Sequence, residues 1–163
     1  MTLDCVRSWQ DPKRIVIDSM IIDHIADASG LVERIQHAIA NGMLTIVETH
    51  ILRDQLSQTP DEPRRTLLLR VYDALPKVAV STSGFVLDVS RLGGADLGDE
   101  SLEGLATKGR GRMQDALLAS TASGKADILV TEDRDLLEKL KTKKLRCEMW
   151  TFAEFRRFVE EHT

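Results

Sequence analysis

Acidic residues recur in this chain directly after short apolar runs. Asp18 follows Arg14–Ile17 (RIVI), Glu48 follows Met43–Val47 (MLTIV), and Thr131, Glu132, Asp133 and Asp135 follow Ile128–Val130. Asp54 lies in the segment after MLTIV, and Asp115 lies just inside a segment opened by Gly111-Arg112-Met113-Gln114. Any one of these has a plain use, because an Asp at a helix start caps backbone N–H groups and complements the helix dipole. Several together behave differently. Clustered carboxylates raise one another's pKa unless a cation compensates, and the natural cation is a hard, oxygen-loving one such as Mg²⁺ or Mn²⁺. Such ions orient phosphates and activate water for in-line displacement. The chemistry to look for is metal-assisted phosphodiester hydrolysis.

Gathering these residues requires strands that all end at one edge. The hydrophobic pattern supplies them. RIVI, MLTIV, Asp127–Val130 and Leu145–Met149 read as short buried strands. Between them lie helical repeats: Ile21, Ile22, Ile25 and Ala26; Leu31, Ile35, Ala38 and Ile39, stopped by Asn41-Gly42; a helix through Leu56; and one started by Thr59-Pro60-Asp61 that carries Leu67, Leu68, Val71 and Leu75. Met113–Ser123 reads as an amphipathic helix, Asp133–Leu140 as another and Phe152–Val159 as the terminal one. Lys77–Val89 reads as extended structure with a turn at Ser83-Gly84, and the Gly- and charge-rich stretch 91–112 as a long loop. Strand–helix alternation of this kind predicts an α/β fold, with a mostly parallel central sheet flanked by helices on both faces. In open α/β sheets, ligands bind beyond the carboxyl ends of the strands, where the acids fall.

Length and composition bound the rest. At 163 residues, 42% of them apolar and 29% charged, the chain fits one ordinary core and neither a disordered nor a disulfide-scaffold class. A single domain over 1–163 is expected. A net charge of −4 argues against non-specific coating of nucleic acid, but not against nucleic acid as a substrate. No apolar stretch is long enough to cross a bilayer. The N-terminal MTLDCVRSWQDPKR lacks the apolar core of a signal peptide, so the expected location is the cytoplasm. Cys5 and Cys147 have no metal-ligand spacing and fit that compartment as free thiols.

Three segments carry a resemblance. RIVIDSMIIDHIA, TIVETHILRDQL and, most specifically, RMQDALLASTASGKADILVTEDRDL resemble the PIN-domain family, the metal-dependent ribonuclease fold that includes the VapC-like toxins. In the third segment an Asp opens an alanine-rich helix, a strand follows, and a Thr-x-Asp-x-Asp turn closes it. The resemblance implies a Mg²⁺- or Mn²⁺-dependent endoribonuclease with catalytic acids Asp18, Asp54, Asp115 and Asp133. The metal ligands would be Asp18, Asp115 and Asp133, with Asp135 as an alternate. Thr131 would hydrogen-bond a carboxylate or bound water. Glu48 is the reserve for Asp54, because the family has a Glu in this helix start where the present chain has Arg-Asp-Gln-Leu. The partners implied are RNA, a small antitoxin protein that blocks the site, and a second copy of the chain in a homodimer.

Lys108, Arg110 and Arg112 lead into the Asp115 segment and are expected to contact phosphate. Aromatic residues are only 4% of the chain, which argues against base stacking as a main recognition device. Gly109-x-Gly111 lacks the third glycine of a dinucleotide fingerprint, and Gly93-Gly94 lacks the Lys-Ser/Thr of a phosphate-binding loop. His24, His37, His50 and His162 show no paired ligand spacing. A catalytically weak PIN module that binds RNA or serves in assembly is the second reading. A phosphotransfer receiver also places acids after strands, but Asp18 has no adjacent acidic partner; a phosphatase with an Asp-x-Asp start is excluded by Met20.

Overall fold

In a computed structural model, the structure describes residues 11–80, 82–83, 95–96, 110–141 and 146–163; side chains are described for the same residues except 82–83, 95–96, 110–116 and 139. Seven strands and seven helices occur among them: β1 (Lys13–Ile17), α1 (Ser19–Asp27), α2 (Leu31–Ala40), β2 (Leu44–Glu48), α3 (His50–Ser57), α4 (Glu62–Ala74), β3 (Lys77–Ala79), β4 (Thr82–Ser83), β5 (Ala95–Asp96), α5 (Arg110–Lys125), β6 (Ile128–Val130), α6 (Arg134–Lys141), β7 (Glu148–Trp150) and α7 (Phe152–Glu161). Five strands form one sheet in the order β3-β2-β1-β6-β7, every pair parallel. The α/β architecture expected from the alternation is the one observed.

Handedness explains why helices cover both faces. Parallel crossovers are right-handed almost without exception. From β1 the chain steps outward to β2 and β3, then returns across β1 to β6 and β7. Reversing the direction of travel moves the connecting helices to the opposite face. Ile15, Ile17, Leu44, Ile46, Ile128 and Val130 accordingly share a buried cluster with α1, α2, α3, α4 and α7, sealed by Phe155. The alternate strand residues Val16, Val47 and Leu129 pack with Leu118, Ala119 and Ala122 of α5 and Leu136 and Leu140 of α6. The reversal falls between β1 and β6, the two strands followed by Asp18 and Thr131.

Local signals set the element ends. Asp61 accepts the Arg64 N–H at 2.8 Å to start α4, and Thr151 with Glu154 forms a capping box on α7. Gly42 takes φ +71°, which lets the Met43 N–H reach the Ala38 carbonyl at 3.0 Å and close α2. Arg64 then ties α4 to α1 through Asp23 at 2.9 Å and Asp27 at 2.7 Å.

Three expectations change. The amphipathic pattern expected of Met113–Ser123 does not hold over its described side chains: α5 extends over Arg110–Lys125, and Leu117 to Ser123 are buried without a break, Ala119, Thr121 and Ala122 completely. Its small residues let it lie between the main sheet and β4, against which it also packs. The stretch 91–112 is not wholly loop, since Ala95–Asp96 is a strand and Arg110 to Arg112 open α5. Finally, Thr82 and Ser83 leave the main sheet and pair in parallel with Ala95 and Asp96; the expected turn at Gly84 and the extended run to Val89 lie outside the described residues.

Candidate functional site

The carboxyl edge of the sheet is assembled by register. Ile17 pairs with Val130, so the next residues, Asp18 and Thr131, meet across that edge. Ile15 pairs with Ile46, and continuing the ladder sets Ile17 opposite Glu48 and Asp18 opposite Thr49. Asp18 and Thr49 keep extended backbone angles, so side-chain alternation continues through them. Thr49, Asp18 and Thr131 therefore form a row on the face of Val16, Val47 and Leu129. All three are buried, at 3%, 6% and 0% exposure.

Hydrogen bonds join two of this row to the acidic turn. The Thr131 hydroxyl donates to Asp18 Oδ2 and accepts the Asp133 N–H at 3.1 Å. Asp18 Oδ1 accepts the Ile21 N–H at 3.1 Å and caps α1. Asp133 Oδ1 accepts the Leu136 N–H at 3.0 Å at the start of α6. Both acids thus perform the capping task a lone Asp would have. A carboxylate offers about four lone-pair sites, so a cap does not exhaust either one. Thr131 sets their spacing.

Thr49 differs from its neighbours. It precedes α3 without a side-chain capping bond, and its buried Oγ1 has no hydrogen-bond partner among the described residues. A buried polar group left so costs about 1–3 kcal/mol. The spacing of the sequence pointed to Glu48 and Asp54 here and passed over Thr49; counting strand parity from Asp18 would have found it.

Glu48 sits on the other face, one residue out of phase. The Tyr72 hydroxyl donates to its carboxylate. Burial pushes the Glu48 pKa up, and the Lys77 and Arg53 cations partly offset this. Lys77 Nζ lies 4.1 Å from the Tyr72 ring centroid and donates to the Tyr72 and Leu75 carbonyls at 2.6 and 3.0 Å. The register therefore does not bring Glu48 to the face of Asp18.

Asp54 is half-buried in the second turn of α3, the helix that Thr49 begins. On the helical wheel, Gln55 falls within the arc of the buried Ile51, Leu52 and Leu56, and Asp54 falls beside it. Asp115 lies in the second turn of α5. That helix packs on β1 and β6 and leads into the start of β6, so its first turns lie toward the edge where Asp18 and Thr131 stand; its side chain is outside the described residues. Asp135 is exposed in the first turn of α6. Arg110 and Arg112 begin α5, with side chains outside the described residues, and Lys108 lies wholly outside them. Glu132, to which the sequence assigned no task, accepts the Phe152 N–H at 2.7 Å and anchors α7 to the acidic turn.

The donors at this edge are carboxylates and hydroxyls, the oxygen set that Mg²⁺ and Mn²⁺ take. The unsatisfied Thr49 oxygen in line with Asp18 fits a site that gains a polar occupant. Among the described side chains, no three His, Cys, Asp or Glu residues form a ready metal-holding group, and Asp115 is not one of those described. Among the described residues, no helix is long and apolar enough to cross a membrane. No protein-family model matches this chain, and no curated protein does.

Proposed function

We propose that the chain is a Mg²⁺- or Mn²⁺-dependent endoribonuclease that hydrolyses RNA phosphodiester bonds. The observation that carries the reading is the bonded line from Asp18 through Thr131 to Asp133, at the carboxyl edge of the sheet where the direction of the crossovers reverses. Asp18, Asp115 and Asp133 would hold the metal, with Asp54 as the fourth acid and Asp135 as an alternate. A bound ion supplies Lewis-acid polarisation of phosphate and acidifies water. The remaining work belongs to the chain. Thr131 fixes the Asp18 carboxylate against rotation while holding the Asp133 backbone. Burial of Asp18 keeps bulk water from competing for it. Arg110, Arg112 and Lys108, at the entry to α5, would draw phosphate to that end of the site. No side-chain nucleophile is required.

RNA as substrate, a blocking antitoxin protein and a homodimer rest on the resemblance to the PIN family; a cytoplasmic location rests on the polar N-terminal stretch and on Cys5 and Cys147 as free thiols. A second reading, a catalytically weak module for RNA binding or assembly, draws on the capping bonds that already occupy Asp18 and Asp133.

Thermal unfolding and product analysis separate the two. Mn²⁺ at a hundred times its Kd should stabilise the fold by about 2.7 kcal/mol. Asp115→Asn should be more stable than wild type without metal and lose most of the gain with it, since relief of repulsion and loss of a ligand go together. Cleaved RNA should carry 5′-phosphate and 3′-hydroxyl ends, and EDTA should stop cleavage. A 2′,3′-cyclic phosphate, or an equal metal response in the two proteins, would overturn the nuclease reading.

A further inference from the structure

At the start of α1 two exposed side chains, Met20 and His24, stand beside a ring that packs against the core, Phe152. Met20 is 47% exposed in the first turn of α1, the helix that Asp18 caps. His24 is one turn further on, at the i+4 position that shares its face, and it too is exposed. Ile21, Ile22 and Ile25 are the buried face of this helix, and Asp23 and Asp27 bind Arg64. One side of the His24 imidazole stacks on Phe152, with ring centroids 5.0 Å apart and planes at 24°, within the range of offset-stacked rings. Phe152 is in turn fixed at the start of α7 by the Glu132 carboxylate at 2.7 Å. Glu132 stands between Thr131 and Asp133, so one turn positions both an acid of the candidate site and the ring beneath His24.

We infer that Met20, His24 and Phe152 form a stacking platform for a base of single-stranded RNA whose phosphate lies at the Asp18–Asp133 edge. The inference rests on the nuclease reading and adds to it a way of holding the strand. A ring supported from below and open above presents a ready π-face, and every base has one, so the contact tolerates sequence. Met20 adds an exposed, polarisable thioether to that surface. The low aromatic content of the whole chain is compatible with this, because a platform needs rings at one place and not many of them.

The test measures anisotropy of a short single-stranded RNA of mixed sequence in EDTA, beside the same RNA with abasic riboses. Wild type should prefer the base-bearing strand by about tenfold, the scale of one stacked base. Met20→Ser with His24→Ala should lose that preference while binding the abasic strand as before. His24→Phe should retain it and His24→Lys should lose it, which separates stacking from charge. Phe152→Leu, which keeps the apolar volume beneath the ring, should lower it partly. Equal binding of both strands by wild type, or an unchanged preference in the double variant, overturns the platform. Mn²⁺-dependent cleavage by wild type, followed in parallel, reports on the nuclease reading separately: cleavage without base preference leaves the nuclease and removes the platform, and base preference without cleavage does the reverse.

Discussion

The centre of the sheet and its β2–β3 side treat their acids in opposite ways. At β1 and β6, Asp18 is buried, bonded to one hydroxyl and one backbone N–H, on the face covered by α5. At β2 and β3, Glu48 meets a phenol, with Lys77 and Arg53 near enough to lower its pKa, on the face covered by α4. A single step of register separates them. The last residue of β2 points to one side and the residue after β1 to the other. Position after a strand is therefore not enough to place an acid at a site; parity decides which side of the sheet it serves. The Glu48 end has the Lys77 and Arg53 cations beside it, whereas Asp18 and Asp133 share the Thr131 hydroxyl.

The largest expected effect breaks that contrast directly. Asp18→Asn should reduce metal-dependent RNA cleavage by about a hundredfold or more, since Lewis-acid stabilisation is worth several kcal/mol and each 1.36 kcal/mol is tenfold. Glu48→Gln should leave most of it; a loss as large in Glu48→Gln would show that the second acid comes from the opposite face. The two buried threonines sharpen the same contrast at smaller scale. Thr131→Val removes a bridge between two acids and should destabilise the fold by about 1–3 kcal/mol while weakening metal binding by about 10–100-fold. Thr49→Val removes an unpartnered hydroxyl and, without metal, should unfold at an equal or higher denaturant midpoint, because a buried polar group without a partner is costly. Destabilisation by both variants alike would mean that Thr49 bonds something in solution.

Weaker still are two effects of pH with opposite signs. The Glu48 pKa is raised above 4.5 by burial, so its folded form holds a proton more tightly than its unfolded form. Its contribution is complete below about 4.5 and is lost as the pH rises through the raised value. Wild type should lose stability relative to Glu48→Gln on going from pH 4.5 upward, measured by urea unfolding at several pH values; a gain would refute the assigned cause. Asp27 runs the other way and marks the lower bound of the series. Its pKa is held below 3.8 by the hydrogen bonds from Arg64, so its small benefit exists above that pH and disappears below it. Asp27→Asn should differ from wild type near neutrality and match it in acid.

Much of the fold was legible because strand and helix periods differ. RIVI, MLTIV and ILV stand as isolated β-branched runs, and the Leu31–Ala40 stripe ends at Asn41-Gly42, where the structure ends it. The apolar run Leu145–Met149 predicts a last strand that starts before the observed Glu148–Trp150, where Trp150 is the ladder partner of Val130. Helix α5 misled for a different reason. Ala, Ser and Thr read as a polar face in a helical repeat, yet small residues also permit burial on every side. The acids after strands were visible as a pattern, but the Thr131 bridge and the Thr49 hydroxyl depend on pairing between distant segments. No local signal carries that.

The bond between Thr131 and Asp18 spans 113 positions of sequence, and it has a temporal meaning. A ribosome releases the chain from its beginning, so Asp18 emerges long before the strand that completes its surroundings. β1 finds β2 early, by a short crossover, but the cleft on its other side waits for β6. Contacts this far apart in sequence form late, after the entropy of closing the intervening loop has been met. A partly synthesised chain therefore carries Asp18 without its Thr131 partner, and the acid line forms only once β6 has been made. For a chain that would act on RNA, this defers activity until that strand is in place.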